Sequence, residues 1–215
     1  MALNTLPAGA FADDAITSNK INLANTFAFT GTVTGTPQDM VLLSSVDSHT
    51  SPTSAVVFNS SVVDSTTYRS FLITGSNIYS VTNAQGLRFY TSHDNGSNFN
   101  NDNKRGQVYR NLYSGSSFGH EQQTVSSSGY CNIGGSMSSS NNLGGSMTLW
   151  VHGSSKSYWK YILYQIATRH SGGEAYNWNG AFEQQNSNAY NYFKLTADSG
   201  NIGGFFYLYG LKGSA

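Results

Sequence analysis

Residues 147–152 read Met-Thr-Leu-Trp-Val-His, so that an apolar side chain occupies every second position and Thr148, Trp150 and His152 lie between them. Alternation with a period of two is the pattern of a β-strand that turns one face to a core. Residues 68–73, Tyr-Arg-Ser-Phe-Leu-Ile, and 205–209, Phe-Phe-Tyr-Leu-Tyr, alternate in the same way. These stretches predict a chain built from strands.

Further segments of this kind follow one another from residue 39 onward, separated by Gly, Ser and Asn turns. Residues 158–168 also fit the helical spacing of apolar residues, but their Tyr, Trp and Ile content favours a strand. Several strands are apolar on both faces, which indicates a subunit contact on the face away from the core. We predict an all-β fold, an antiparallel, jelly-roll-like β-sandwich, with strands near 39–46, 54–59, 68–74, 86–92, 107–113, 146–152, 158–168, 178–184, 191–197 and 204–211.

The composition supports this fold class and excludes several functions. Charged residues make up 10% of the chain, against about 25% in typical soluble domains, and 23 glycines argue against helical surfaces. A formal net charge of +0 offers no electrostatic footprint for nucleic acid, and no stretch approaches the ~20 apolar residues that cross a bilayer. The single Cys131 has no partner for an internal disulfide and is expected to be a small buried packing residue.

The first 37 residues differ from the remainder and are predicted to form an extended anchoring arm, followed by the sandwich domain over 38–215. Isolated apolar residues, Phe11, Ile16, Ile21 and Leu23, have neither a helical nor a strand period, so they should dock on a neighbouring subunit or another partner. A short strand is predicted within 27–35. The first cation is Lys20, and Asp13-Asp14 interrupts the apolar stretch before it, so we expect no signal peptide.

Two polar segments are predicted to be loops. Residues 114–145 have the least structured sequence, which predicts a long loop that is either functional or mobile. Residues 94–102, Asp-Asn-Gly-Ser-Asn-Phe-Asn-Asn-Asp, are rich in oxygen ligands but lack the spacing of a calcium loop. A turn that joins strands 86–92 and 107–113 explains this second segment more simply.

Motifs for catalysis are weak. Gly115-Ser-Ser117-Phe-Gly119 matches the G-x-S-x-G nucleophile elbow and precedes His120 and Glu121, but its flanks are turn formers and not a strand and a helix. Glu121, Glu174, Glu183 and Asp198 could supply a glycosidase pair, yet nothing in the sequence tunes one carboxylate against another. The histidines have no metal-ligand spacing. We therefore predict no catalytic residue, no metal site and no cofactor.

Aromatic residues are the remaining resource for binding, since the chain has 14 Tyr, 12 Phe and 3 Trp. Tyr176, Asn177 and Trp178 lie in a polar segment preceded by glycine, where the rings could stack on a sugar while the amide pairs with hydroxyls. Structural aromatics at a loop edge are the alternative interpretation, because both ring types also bury well.

Several stretches resemble proteins of tailed marine bacteriophages of the cyanophage type. Residues 12–21, Ala-Asp-Asp-Ala-Ile-Thr-Ser-Asn-Lys-Ile, and 29–35, Phe-Thr-Gly-Thr-Val-Thr-Gly, are similar to the start of tail-fibre-type proteins. Residues 88–99 and 199–210 are similar to framework stretches of virion proteins whose sandwich domains decorate tails or heads. The resemblance implies a homotrimeric, non-enzymatic virion component, made in the host cytoplasm and exposed on the particle.

The function that we expect is therefore a trimeric fibre-type module. Its arm attaches it to other virion proteins of the tail or capsid, and its sandwich binds a host-surface glycan or protein, with no nucleic-acid partner and no membrane insertion. A capsid decoration or cement protein that stabilises the head is the first alternative. A polysaccharide depolymerase is the second.

Overall fold

A computed structural model describes the chain over residues 40–99, 104–113, 118–125, 129–154, 159–169, 172, 174–184 and 188–212, and within 104–113 and 118–125 it describes the backbone. Every strand in these ranges belongs to one compact unit, residues 38–215. The predicted arm with Phe11, Ile16, Ile21 and Leu23 lies outside the described residues and stays a prediction. The same holds for the strand predicted within 27–35.

The described residues form twelve strands and one short 3-10 turn, Asn141–Leu143. Every pairing between strands is antiparallel. The strands are β1 (Met40–Asp47), β2 (Val56–Phe58), β3 (Ser70–Ser80), β4 (Gln85–Ser92), β5 (Lys104–Tyr113), β6 (Phe118–Val125), β7 (Cys131–Met137), β8 (Gly145–His152), β9 (Lys160–Arg169), β10 (Ala175–Gln184), β11 (Tyr192–Ala197) and β12 (Ile202–Leu211).

Eight of these strands pair like a long hairpin that has been rolled up. β1 pairs with β12, β2 with β11, β3 with β8 and β4 with β7. Rolling also brings β12 beside β3 and β11 beside β4. The two resulting sets have the orders β1-β12-β3-β8 and β2-β11-β4-β7, which is the strand order of a jelly roll and confirms the predicted fold class.

Two hairpins are inserted into this roll. β5 and β6 lie between β4 and β7 in the chain, and β9 and β10 lie between β8 and β11. All four strands continue the first set beyond β8, in the order β9-β10-β5-β6. The sandwich therefore consists of a large eight-stranded sheet and a small four-stranded sheet.

The core lies between the two sheets and is rich in aromatic rings. Phe193 of β11 lies near its centre, with its ring centroid 5.3 Å from that of Phe71 and 5.8 Å from that of Phe89. The Lys160 side chain is also fully buried, and its ammonium lies 5.3 Å from the centroid of the Tyr190 ring. Cys131 is a fully buried residue of this core, as predicted.

All ten strands predicted from residue 39 onward are present. In β9 buried and exposed residues alternate along its full length, which confirms the strand that was predicted in place of a helix. In β8, Met147, Leu149 and Val151 face the core, as the alternation predicts. The outward face of β9 carries exposed Tyr161 and Leu163, so this strand is indeed apolar on both faces.

The prediction of an unstructured loop over 114–145 is wrong, because β6 and β7 both lie within it. β7 contributes Cys131, Ile133 and Met137 to the core, but its middle positions are glycines. A Cβ atom on Gly135 would lie 3.1 Å from the Trp178 ring, so the large side chain here comes from the opposite sheet. A strand whose glycines pack against large side chains of the opposite sheet lacks apolar alternation of its own. Its sequence therefore resembles that of a loop.

The turn predicted at Asp94-Asn-Gly is present, but it does not connect two paired strands. Asn95 and Gly96 both have positive φ angles, 57° and 86°, the conformation that Asn-Gly pairs favour in tight turns. β4 before the turn belongs to the small sheet, whereas β5 after it belongs to the large sheet. The segment is therefore the start of a crossover between the sheets.

Val151 and Val81 provide a matched test of the core. Val151 is fully buried between the sheets, whereas Val81 is 48% exposed just after β3. We expect Val151→Ala to lower the free energy of unfolding by about 2 kcal/mol and Val81→Ala to change it by less than about 0.5 kcal/mol. Denaturant titration measures both values, and equal effects would contradict the assigned faces.

Candidate functional site

The predicted sugar-binding residues lie on β10, inside the large sheet and not on a loop. Trp178 is 7% exposed and belongs to the core, and Tyr176 packs against that core with its ring stacked on Trp178 at a centroid distance of 6.2 Å. Asn177 points to the opposite face, where its Oδ1 accepts a 3.2 Å hydrogen bond from Asn179 Nδ2. The strand therefore separates the amide from the two rings.

The residues considered for catalysis are dispersed. Ser117 lies outside the described residues, and Phe118 directly after it begins strand β6 and not the helix that a nucleophile elbow requires. His120 and Glu121 lie on β6 opposite Tyr109 and Val108 of β5. Asp198 belongs to an ion pair on the small sheet.

The oxygen-rich segment after β4 uses its carboxylate to hold its own turn. Asp94 accepts hydrogen bonds from the Ser92 hydroxyl at 2.6 Å and from the Asn98 side-chain amide at 2.6 Å, and these bonds lower the pKa of Asp94. Within the part of the chain that the structure describes, no group of three or more His, Cys, Asp or Glu side chains is placed to hold a metal ion.

The outer face of the small sheet carries a cluster of half-buried aromatic rings that the sequence analysis did not single out as a site. Tyr90 of β4 lies between Phe99 and Tyr130, at centroid distances of 5.3 Å and 5.5 Å. Phe99 in turn lies 5.8 Å from Tyr192 of β11. We call these four rings, together with Lys194 and Arg88, the platform.

Two cations lie over the rings of the platform. The Lys194 ammonium is 4.1 Å from the centroid of Tyr90 and 4.0 Å from that of Phe99, and the Arg88 guanidinium is 4.4 Å from that of Tyr130. Contacts of this kind are cation–π interactions, which strengthen when water is excluded. Burial beneath the rings lowers the pKa of Lys194.

Asp198 holds the Arg88 end of the platform. Its Oδ1 lies 2.5 Å from Arg88 Nε, and its Oδ2 accepts a 3.0 Å hydrogen bond from the backbone N–H of Gly86. Burial disfavours the charged guanidinium, but Asp198 and the neighbouring tyrosines outweigh that effect and raise the pKa of Arg88. The guanidinium therefore stays charged and fixed over Tyr130.

A second unusual surface lies on the outer face of the large sheet. The strand register aligns Leu42, Tyr209, Leu72, Trp150 and Leu163 in one row across β1, β12, β3, β8 and β9. Met40 and Tyr161 lie in the adjacent row, 48% and 49% exposed. We call these seven residues the stripe.

The stripe is apolar and almost free of charge. Leu42 and Leu163 at its two ends are 54% and 44% exposed, whereas Leu72 in the middle is 8% exposed. Among the outward side chains of the five strands, only Asp47 on β1 and Arg169 on β9 are formally charged. An apolar surface that extends across five strands is typical of an interaction site.

The signal for both surfaces is present in the sequence as alternation. Arg88 and Tyr90 alternate with buried Leu87 and Phe89, and Tyr192 and Lys194 alternate with Phe193. The pattern alone predicts that these polar and aromatic side chains face outward. It does not show that β4 and β11 are neighbours, which is what brings Lys194 onto Tyr90.

Comparisons with known proteins identify no relative of the chain. No family model, no curated protein and no solved structure matches it. In the residues that the structure describes, no helix has the length and apolar character needed to span a membrane.

Removing one ring tests the electrostatics of the platform. In Phe99→Ala the Lys194 ammonium regains contact with water on one side, so we expect the pKa of Lys194 to rise toward its ordinary value. NMR titration of the lysine side-chain carbon beside the ammonium measures this pKa. Tyr209→Ala, on the other sheet, should leave it unchanged, and an equal pKa in all three proteins would contradict the burial described here.

Proposed function

We propose that the chain is a non-enzymatic structural protein of a bacteriophage virion. It forms a trimeric, fibre-type module that residues 1–37 attach to the tail or capsid, and its sandwich faces the host surface. The stretches that resemble virion proteins support this proposal through their place in the fold. Residues 88–99 form most of β4 and the turn after it, and 199–210 form most of β12 and the turn before it. Both stretches belong to the framework of the sandwich.

The stripe is the observation that carries the proposal. Exposed Leu42, Tyr161 and Leu163 are unfavourable in water, and association that covers them is stabilising. Five strands about 4.8 Å apart and about 30 Å long present roughly 700 Å², close to the ~800 Å² that each partner contributes to a standard interface. We therefore assign a second copy of the chain as the occupant of this face.

The two charged residues beside the stripe fit a cyclic assembly. Asp47 lies on the β1 side and Arg169 on the β9 side, near the same end of the sheet. In a cyclic, head-to-tail contact, the β1 end of the stripe on one copy packs on the β9 end of the stripe on the next. Opposite charges then face each other across every contact.

The oligomeric state tests the proposal. We expect a mass of about 70 kDa in solution, three times the 23.2 kDa of one chain. Leu163→Glu places a charge in the stripe and should produce monomers, because an unpaired carboxylate in an apolar contact is strongly unfavourable. Light scattering coupled to size exclusion measures both masses.

Val81→Glu is the matched control, since Val81 is exposed to a similar degree but lies outside the stripe. It should remain trimeric. A monomeric unmodified protein would overturn the assembly proposal, and so would a Leu163→Glu variant that keeps the trimeric mass.

Capsid decoration is the second candidate, and the same stripe favours it, because a cement protein needs the sandwich itself to contact its neighbours. Labelling the protein in virions separates the two functions. A label on the tail supports the fibre-type module. A label on the head, together with capsids that lose heat stability when the protein is absent, supports decoration.

A further inference from the structure

The platform contains a half-buried cation, Lys194, that has no carboxylate beside it among the described residues. The Lys194 ammonium is held 4.1 Å and 4.0 Å from the centroids of Tyr90 and Phe99. Among the residues that the structure describes, no Asp or Glu oxygen lies within 4.0 Å of it, and the described ion pair on this face uses Asp198 for Arg88. Among the described residues of the platform and its ion pair there are therefore two cations and one carboxylate. An anion that reaches Lys194 would supply the missing charge.

The neighbouring groups narrow the chemistry of that anion. Half-buried Tyr90, Tyr130 and Tyr192 present ring surface and hydroxyl groups around the two cations. Ring faces pack well against the C–H face of a sugar, and phenol hydroxyls donate to and accept from sugar hydroxyls. Asn132, which lies opposite Arg88 in the register of β7, has a buried Oδ1 that accepts no hydrogen bond from the described residues. The site thus has aromatic, cationic and amide groups together.

Other ligand classes fit less well. A cationic ligand would be repelled by Lys194 and Arg88, which already occupy the ring faces. Nucleic acid needs a track of cations along its backbone, whereas this chain has a net charge of +0 and the platform offers two. A neutral sugar would stack on the rings but leave the ammonium unpaired.

We propose that the platform binds a carboxylate-bearing sugar residue of a surface polysaccharide. The sugar carboxylate pairs with the Lys194 ammonium, and the apolar face of the sugar lies against the exposed parts of Tyr90 and Tyr192. Arg88 is a positioning residue, because its ion pair with Asp198 holds it over Tyr130. This inference deepens the proposed host-surface binding, on which it rests, by naming the class of ligand.

The test uses the full chain and three probes of matched length. These are a galacturonic acid hexamer, the same hexamer with every carboxylate methyl-esterified, and a hexathymidylate. We expect the acidic hexamer to bind with a dissociation constant of about 1 mM or below, and the other two to bind about tenfold more weakly or not at all. Isothermal titration gives the constants, and NMR shift changes should centre on Lys194, Tyr90 and Tyr192.

Substitutions of Lys194 test whether its ammonium binds the sugar carboxylate. Lys194→Met keeps the length of the side chain but removes its charge, and should weaken binding of the acidic hexamer by about tenfold or more. Lys194→Arg restores the charge and should restore binding. Lys212→Met removes an equal charge from an exposed position after β12 and should leave the constant within about twofold. Unchanged melting temperatures show that all three variants fold.

Several outcomes would overturn the inference. They are equal affinity for the acidic and esterified hexamers, tighter binding of the hexathymidylate, unchanged binding by Lys194→Met, or no binding of the acidic hexamer at about 10 mM. The stripe and the platform lie on different sheets. The oligomeric mass therefore tests the assembly, and the affinity for the acidic hexamer tests the ligand assignment, independently of each other. A monomer that binds the acidic hexamer refutes the assembly alone, and a trimer that does not bind it refutes the ligand assignment alone.

Discussion

The pairing of strands far apart in the chain is the constraint on which this structure depends. β12 is hydrogen-bonded to both β1 and β3, and β11 to both β2 and β4, so the last two strands lie inside the two sheets. This placement brings Phe193 of β11 against Phe71 and Phe89 in the core. It also aligns Tyr209 between Leu42 and Leu72 in the stripe and sets Lys194 beside Tyr90 in the platform. Core, stripe and platform are consequences of the same pairings.

The sequence predicts the strands well where one side chain in two is large and apolar. Strands β8 and β9 follow this rule, since alternate residues supply apolar bulk to the core from Met147 to Val151 and from Ile162 to Ile166. The rule fails for β7, where Gly134 and Gly135 leave room for Ile166 and Trp178 of the large sheet. Which partner fills a gap is a property of two strands together, so the sequence of β7 alone does not contain it. For the same reason, the sequence around the Asp94 turn does not show that the strands on its two sides, β4 and β5, belong to different sheets.

The candidate site was less predictable than the fold. The polar stretch around Tyr176 and Trp178 predicts a sugar-binding site, but the strand that contains these residues turns both rings inward. In the platform, by contrast, Tyr90 lies on β4, Phe99 on the connection after it and Lys194 on β11. About half the length of the chain separates Lys194 from the two rings. Local pattern tells which face a side chain occupies. Only the register between strands tells which side chains become neighbours.

The central position of β12 has a consequence for how the protein is made. Until β12 emerges from the ribosome, β1 lacks the strand to which it is hydrogen-bonded in the large sheet. Neither sheet can close until β11 and β12 have been made, so the nascent chain stays open while the strands before them emerge. Its low charge leaves few ionic groups to discourage contact with other nascent chains in that interval. Contact with other nascent chains is therefore most favourable before β11 and β12 have been made.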